Sequence, residues 1–368
     1  MVIGDAMADY DRNPILNHKL LPVEIVLHPA WWFQHEGITF DADFFFHPAQ
    51  RVEMEQKMEK ILYERWGQYG LGEDHAEEKP VMGAVHLAAG FLVSEMLGCK
   101  VAYSADSAPQ VLNAHLATPA IDPQQAFRSR AFKKFEHLVE SLRTKYGYVC
   151  GDVNWGGILN IALDLRGETL FLDLFDKPDA IHVFFANIAE VIERFTTGIQ
   201  QQTGTSSISV NRNVRHFPAP IYLHSECSHT MLAVKDYEKY LFAFDLNWSA
   251  RYRPYGIHYC GADPHRYAEA FAKLPYLDFL DVGWGGDVKL LRKYLPNTFL
   301  NIRLSPVAII NQPVAELRAT ITNLVRDSGD PWLTGVCCIN MDHQVRDEKI
   351  TTIFETVADL RKEYSKSK

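Results

Sequence analysis

The sequence predicts an α/β fold, a (β/α)8 TIM barrel that forms a single domain over residues 1–368, with an irregular N-terminal cap to which residues 1–122 contribute. Strand-like and helix-like patterns alternate five times in the second half, which is typical of a parallel sheet. When every candidate segment is counted, the whole chain contains eight predicted strands. No glycine-rich phosphate loop follows any strand, which disfavours the main alternative, an open doubly wound sheet.

The second half consists of five βα units. Each predicted strand is an apolar stretch that ends in small or polar residues, and an amphipathic pattern follows it. The predicted strands are Ile221–His224, Gly256–Cys260, Leu277–Val282, Thr298–Arg303 and Leu333–Ile339. The predicted helices are Tyr237–Phe244, Arg266–Lys273, Val288–Tyr294, Val314–Asp327 and Lys349–Tyr364.

The first half has a less regular pattern. Its predicted strands are Pro22–His28, Tyr148–Val153 and Ser207–Asn211, and its predicted helices are Ala49–Trp66, Pro123–Lys145 and Phe184–Gln202. Residues 30–48 and 67–122 are too irregular for simple connections between barrel strands. We expect them to form a cap over one mouth of the barrel.

Composition excludes several classes of protein. The net charge is −9 and there is no basic run, so nucleic-acid binding is not expected. The longest apolar stretches are interrupted by Asp, His or Glu, and no segment reads as a membrane span or a secretory signal. Six cysteines in 368 residues are too few for a disulfide framework. We therefore expect a cytoplasmic protein whose clustered cysteines bind metal or take part in catalysis.

A metal site is predicted where the strands end. His258 and Cys260 are two residues apart, so on a strand both side chains point to the same face, at the carboxyl end where barrel active sites lie. Imidazole and thiolate suit Zn²⁺. Cys337 lies near the end of the last predicted strand and is the expected third ligand, with Asp281 as a weak fourth. Glu226 and Cys227 are less favoured as ligands.

A family resemblance supports the metal site. The sequence IHYCGAD, with a distant cysteine near the end of the chain, resembles the H-x-C…C zinc motif of the corrinoid-linked methyltransferases in the uroporphyrinogen decarboxylase superfamily. Weaker likeness runs from LPVEIVLHP to the last helix and includes FHPAQRVEMEQKMEKILYERWG. The resemblance implies a TIM barrel, one zinc ion and a corrinoid as methyl donor or acceptor. The arginine-rich N-terminal motif of the decarboxylases is missing, since Arg12 stands alone.

The expected activity is transfer of a methyl group from a methoxylated aromatic compound to cobalt. No cobalamin-binding D-x-H-x-x-G motif is present, so we expect the corrinoid (cobalamin) on a partner protein. Alternatives are methyl transfer from a methylcobamide to a thiol such as coenzyme M, a decarboxylase-like reaction, and a binding protein with structural zinc. Candidate catalytic residues are Glu226 and Asp281. Candidate substrate-binding residues are Trp31, Trp32, His35, Asn154, Tyr222 and Arg303.

Overall fold

A computed structural model describes residues 13–15, 19–82, 90–151, 153, 155–204 and 217–366. Arg12, Asn154 and the predicted strand Ser207–Asn211 lie outside these residues. Within the described ranges, no helix is both long enough and apolar enough to cross a membrane.

A curled sheet of six parallel strands forms the centre of the fold. Its strands are β1 (Val23–Leu27), β4 (Tyr222–Ser225), β5 (Tyr255–His258), β6 (Phe279–Val282), β7 (Phe299–Arg303) and β8 (Thr334–Met341). They lie side by side in the order β1-β8-β7-β6-β5-β4. A separate antiparallel hairpin contains β2 (Lys100–Ala102) and β3 (Gln110–Leu112). Consecutive strands are neighbours from β4 to β8, as in a barrel, and the doubly wound alternative does not give this order.

The first and last strands of the sheet pair with each other, as barrel closure requires. Val23 lies beside Val336, and Glu24 beside Cys337. The predicted strand Tyr148–Val153 is reduced to a parallel bridge between Val81 and Cys150, which falls between β1 and β4 in chain order. The described strands therefore form part of a TIM-like barrel, and complete closure by eight strands stays a prediction.

Helices cover the strands and also occupy part of the region predicted to be irregular. In the first half they span Pro29–Glu36, Ala42–Phe46, Pro48–Trp66, Leu92–Met96, Pro123–Ala126, Arg130–Tyr146, Ile158–Arg166, Thr169–Asp176 and Pro178–Thr203. In the second half they span Val234–Tyr240, Phe242–Arg251, Ala268–Phe271, Val288–Tyr294, Pro306–Asn311, Val314–Asp327 and Asp347–Lys366. Residues 30–48 thus contain two short helices, and the single helix predicted over Tyr237–Phe244 is two helices.

The helix Arg130–Tyr146 shows how the sequence sets these boundaries. Ser129 accepts a hydrogen bond from the Phe132 amide and begins the helix. Gly147 ends it in the left-handed conformation, with φ of 81°. Phe135, Leu138 and Leu142 recur at helical spacing and are buried. Burial of this stripe joins the helix to the core.

Alternation along the strands decides which side chains face the candidate site. Tyr222 packs on Trp248 of the helix Phe242–Arg251, so the face of β4 that contains Tyr222 is the outer, helix-covered face. Every second residue points the other way. We call that side the inner face, and one row across it contains the register partners Ser225, His258, Asp281, Asn301 and Gly335.

Candidate metal centre

Three potential metal donors lie together where β4 and β5 end. They are Cys227, His258 and Cys260, which we call the metal group, and their donor atoms all lie within 4.8 Å of one another in the described part of the chain. Cys260 Sγ is 2.8 Å from His258 Nε2 and 2.7 Å from Cys227 Sγ. β5 ends at His258, two residues earlier than predicted, although the Tyr259 amide still donates to the Asp281 carbonyl oxygen.

A carboxylate orients the histidine of this group. His258 Nδ1 is hydrogen-bonded to Asp281 on β6, which directs Nε2 toward Cys260. Asn301 Nδ2 donates to the other carboxylate oxygen of Asp281 over 3.0 Å. A carboxylate that holds the second nitrogen of a histidine is the usual outer partner of a metal-binding imidazole. Asp281 is therefore a positioning residue in this geometry, rather than the weak fourth ligand expected from the sequence.

The charges around the metal group favour a thiolate at Cys260. Contact with Cys227, together with the nearby His258 and Arg303, lowers the pKa of Cys260 well below that of an ordinary thiol. Burial alone would lower the pKa of His258, but Cys260 and Asp281 raise it to about 9. These surroundings therefore favour the thiolate form of Cys260, which is the form in which a cysteine binds metal.

The donor chemistry fits zinc. Zinc takes tetrahedral nitrogen and sulfur ligands, and three protein ligands leave a fourth position for a substrate. Two sulfurs and one oriented imidazole meet that requirement. Oxygen-preferring cations such as Mg²⁺ and Ca²⁺ do not match a donor set that consists of sulfur and nitrogen.

Cys337 lies beside this group and is not part of it. Its register partner on β7 is Arg303, and its Sγ accepts from Asn301 Nδ2 over 3.2 Å and lies 3.9 Å from Asp281. Burial raises the pKa of its thiol well above the ordinary value. The third donor found next to His258 and Cys260 is Cys227 where the sequence favoured Cys337, and ligation by Cys337 stays a prediction.

A close approach between two loops brings the strand ends together. A Cβ at Gly283, just after β6, would lie 1.8 Å from the carbonyl oxygen of Gly261. Only glycine allows the chain after β6 to pass this near to the chain after β5. The approach keeps Asp281 within hydrogen-bonding distance of His258.

Glu226 has a structural role that the sequence did not indicate. Its carboxylate is fully buried and accepts from the amides of Leu159 and Asn160, at 2.8 and 3.1 Å, in the first turn of the helix Ile158–Arg166. A Cβ at Gly157 would lie 2.4 Å from this carboxylate. Both oxygens are engaged by the first turn of this helix, and a catalytic role for Glu226 stays a prediction.

Arg303 is the predicted substrate-binding residue that lies closest to the metal group. It is 5% exposed at the end of β7 and contacts Cys260. Its guanidinium carbon lies 5.0 Å from the ring centroid of Trp284. Burial alone would lower the pKa of Arg303, but Cys260, Asp281 and Cys337 raise it, so the side chain is charged.

The four other predicted substrate-binding residues that the structure describes lie elsewhere. Trp31 and Trp32 are 0% exposed and pack edge to face, 5.1 Å apart, so both belong to the core. His35 is exposed and its Nε2 contacts the His343 carbonyl oxygen. Tyr222 stacks on Tyr252 on the outer face of β4. The expected aromatic pocket is not formed by these side chains, because they pack into the core or on the outer face, or lie on the surface.

Two residues that matter here were missed or ranked low. The period of two on β7 places Asn301 on the same face as Arg303, but its contact with Asp281 depends on the register between β6 and β7. The position of Cys227 depends on where β4 ends. Nothing in the sequence alone marks that end, which is separated by Glu226 from the 3-10 helix Cys227–Met231.

Comparison with solved structures finds this fold in a methyltransferase from Methanosarcina mazei, with a TM-score of 0.64 and 12% identity over 93% of this chain and 94% of that one. A B12-independent methionine synthase from Shewanella sp. W3-18-1 matches with a TM-score of 0.49 and 11% identity over 93% of this chain and 98% of its own, a score that supports no conclusion. No family model matches the chain, and no curated protein matches its sequence. The first likeness therefore shows the fold alone, and membership of the uroporphyrinogen decarboxylase superfamily stays a prediction.

Proposed function

We propose that this protein is a zinc-dependent methyltransferase that moves a methyl group from a methoxylated aromatic compound to the cobalt of a corrinoid held by a partner protein. The observation that supports it best is the metal group at the carboxyl ends of barrel strands, with His258 oriented by Asp281. This is the end of a TIM-like barrel at which active sites are built. The family resemblance supplies the reaction class.

The chain itself prepares the site for a metal with an open position. His258 and Cys260 are two of the proposed ligands, and the third is a thiolate from Cys227, which the geometry favours, or from Cys337, which the resemblance favours. Zinc bound there supplies Lewis acidity toward the oxygen or sulfur from which, or to which, the methyl group moves. Asp281 and Asn301 hold the imidazole in one tautomer and one orientation.

The structure also favours a second candidate, transfer of a methyl group from a methyl-corrinoid to a small thiol. The argument for an aryl ether depended on an aromatic pocket that included Trp31 and Trp32, and both are buried in the core. A thiol acceptor needs no such pocket. Its sulfur would bind the metal as a thiolate, which is the nucleophilic form.

An anaerobic assay in both directions tests the proposal. We expect the zinc-loaded protein and reduced cobalamin to form methylcobalamin from one or more methoxybenzoates or methoxyphenols, with release of the phenol, and Cys260→Ser to abolish this. Formation of a methyl thioether from methylcobalamin and 2-mercaptoethanesulfonate, without demethylation of any aryl ether, would assign the second candidate. Zinc-free protein with full activity in either direction would refute both.

A further inference from the structure

Arg303 has two hydrogen-bond donors that none of the described residues satisfies. Its Nε and Nη1 are both buried and lack an acceptor, although the guanidinium contacts Cys260. A buried donor without a partner destabilises the folded state by roughly 1–3 kcal/mol, and more when the group is charged. Proteins retain such a group where a ligand completes its hydrogen bonds.

The carboxylate that acts most strongly on the charge of Arg303 is already engaged. It belongs to Asp281, and its two oxygens are held by His258 and Asn301. Two cysteines, Cys260 and Cys337, also act on its charge. If zinc binds Cys260, its charge offsets the thiolate and leaves the guanidinium without a matching anion.

The ring that covers Arg303 is itself partly exposed. Trp284 lies over the guanidinium at 5.0 Å and is 39% exposed, although an aromatic ring of this size is usually buried. Glycines flank it on both sides, at positions 283, 285 and 286, and Gly285 has a φ of +89°. An exposed tryptophan beside a buried cation offers an entering ligand an aromatic surface to pack against.

We propose that Arg303 and Trp284 form an anion subsite next to the metal group. The substrate is then a small molecule with an anionic group, either a carboxylate or a sulfonate. This group lies close to the oxygen or sulfur atom that binds the metal. This inference rests on the proposed function, which supplies the assumption that an oxygen or sulfur atom of the substrate binds the metal. The planar fork of arginine pairs with two oxygens of such a group. Neutral methoxylated aromatics and neutral thiols are then poor ligands.

Matched pairs of ligands test the subsite without any methyl transfer. Calorimetry on the zinc-loaded protein compares 4-methoxybenzoate with 4-methoxybenzamide, and 2-mercaptoethanesulfonate with 2-mercaptoethanol. We expect the anion in at least one pair to bind at least tenfold more tightly than its neutral counterpart. A preference in the first pair identifies a carboxylate ligand, and a preference in the second identifies a sulfonate.

Substitutions then assign the preference to Arg303. R303Q should reduce the preference to less than threefold, whereas the control R326Q, an exposed arginine paired with Glu363, should leave it unchanged. Zinc content and circular dichroism check that R303Q binds metal and is folded. If it does not fold, the comparison of anionic and neutral ligands on the wild-type protein still tests the subsite. No preference in either pair, or a preference that survives in folded R303Q, would overturn the subsite. The calorimetry contains no corrinoid and measures no methyl transfer. Failure of the methyl-transfer assay would therefore contradict the proposed function without changing the binding result.

Discussion

Two buried histidine–aspartate pairs lie on opposite faces of the sheet, His258–Asp281 on β5 and β6, and His224–Asp245 on β4 and the helix Phe242–Arg251. On the inner face, His258 pairs with Asp281, and on the outer face His224 Nδ1 lies 2.7 Å from Asp245. All four side chains are buried. Burial lowers the pKa of each histidine, but Cys260 and Asp281 raise that of His258 to about 9, and Asp245 and Glu226 raise that of His224 to about 9. The two pairs therefore resemble each other in burial and in charge.

They differ in what faces the second ring nitrogen. His258 Nε2 is directed at the sulfur of Cys260, whereas His224 Nε2 faces the carboxylate of Glu226 at 3.5 Å, with the Trp155 ring stacked on the imidazole. Asp245 also accepts from Tyr237 and Tyr255, at 2.7 and 2.6 Å. Only His258 of the two has further metal donors, Cys227 and Cys260, grouped with its free nitrogen in the described part of the chain. The outer pair is a packing and hydrogen-bonding element.

The largest effect is expected from removal of the central thiolate. Wild-type protein should contain about one zinc per chain, and Cys260→Ser should reduce this to less than a tenth, because Cys260 contacts both other members of the metal group. Metal analysis by mass spectrometry measures it. Cys338→Ala is the control, since Cys338 contacts Met341 and lies outside the group, and it should keep its zinc. Full zinc content in Cys260→Ser would contradict the conclusion that the inner histidine pair, unlike the outer one, belongs to a metal site.

The third thiolate is tested by two single substitutions. Because Cys227 Sγ lies within the metal group and Cys337 Sγ does not, we expect Cys227→Ser to lose more zinc than Cys337→Ser. Competition with a chelator measures the affinity of each. The reverse order would assign the third ligand to Cys337, as the sequence predicts, and would require its hydrogen bond with Asn301 to rearrange.

The two aspartates should differ in what they support. Asp281→Asn should weaken zinc binding by about 10- to 100-fold, since the carboxylate orients the metal-binding imidazole. Asp245→Asn should leave zinc affinity within about threefold and lower the free energy of unfolding by about 3 kcal/mol, because it breaks a buried charged pair. Chelator competition and urea unfolding measure the two effects. Equal losses of zinc affinity would show that the outer pair also acts on the site.

The smallest effect is the pH dependence of the outer pair. The folded pKa of His224 is about 9 and its unfolded value is near 6.5, so its stabilising charge is fully present below pH 6.5 and is lost as pH rises through 9. Between pH 6.5 and 9.5, zinc-loaded wild type should lose roughly 1–3 kcal/mol more stability than His224→Gln. Urea unfolding at both pH values measures this. Parallel losses in the two proteins would contradict a charged His224.

The sequence was most informative where short-range pattern determines structure. The βα alternation after residue 221 predicts five of the six strands in the sheet, and the period of two correctly places His258 on the inner face. Contacts between distant segments were not predictable. Glu226 binds amides 66 and 67 residues away, and the position of Cys227 depends on the last residue of β4. Trp31 and Trp32 show the same limit, because an aromatic cluster does not reveal whether it lines a pocket or fills a core.

The order of the donors along the chain bears on when the protein can acquire its metal. Cys227 and Cys260 are 33 residues apart, and His258 and Asp281 are separated by 23. A nascent chain that has emerged from the ribosome through β6 therefore already contains all four side chains. Zinc captured at that stage would tie β4 to β5 before β7 and β8 are synthesised. Metallation through Cys337, 56 residues after Asp281, would instead wait until the last strand is available.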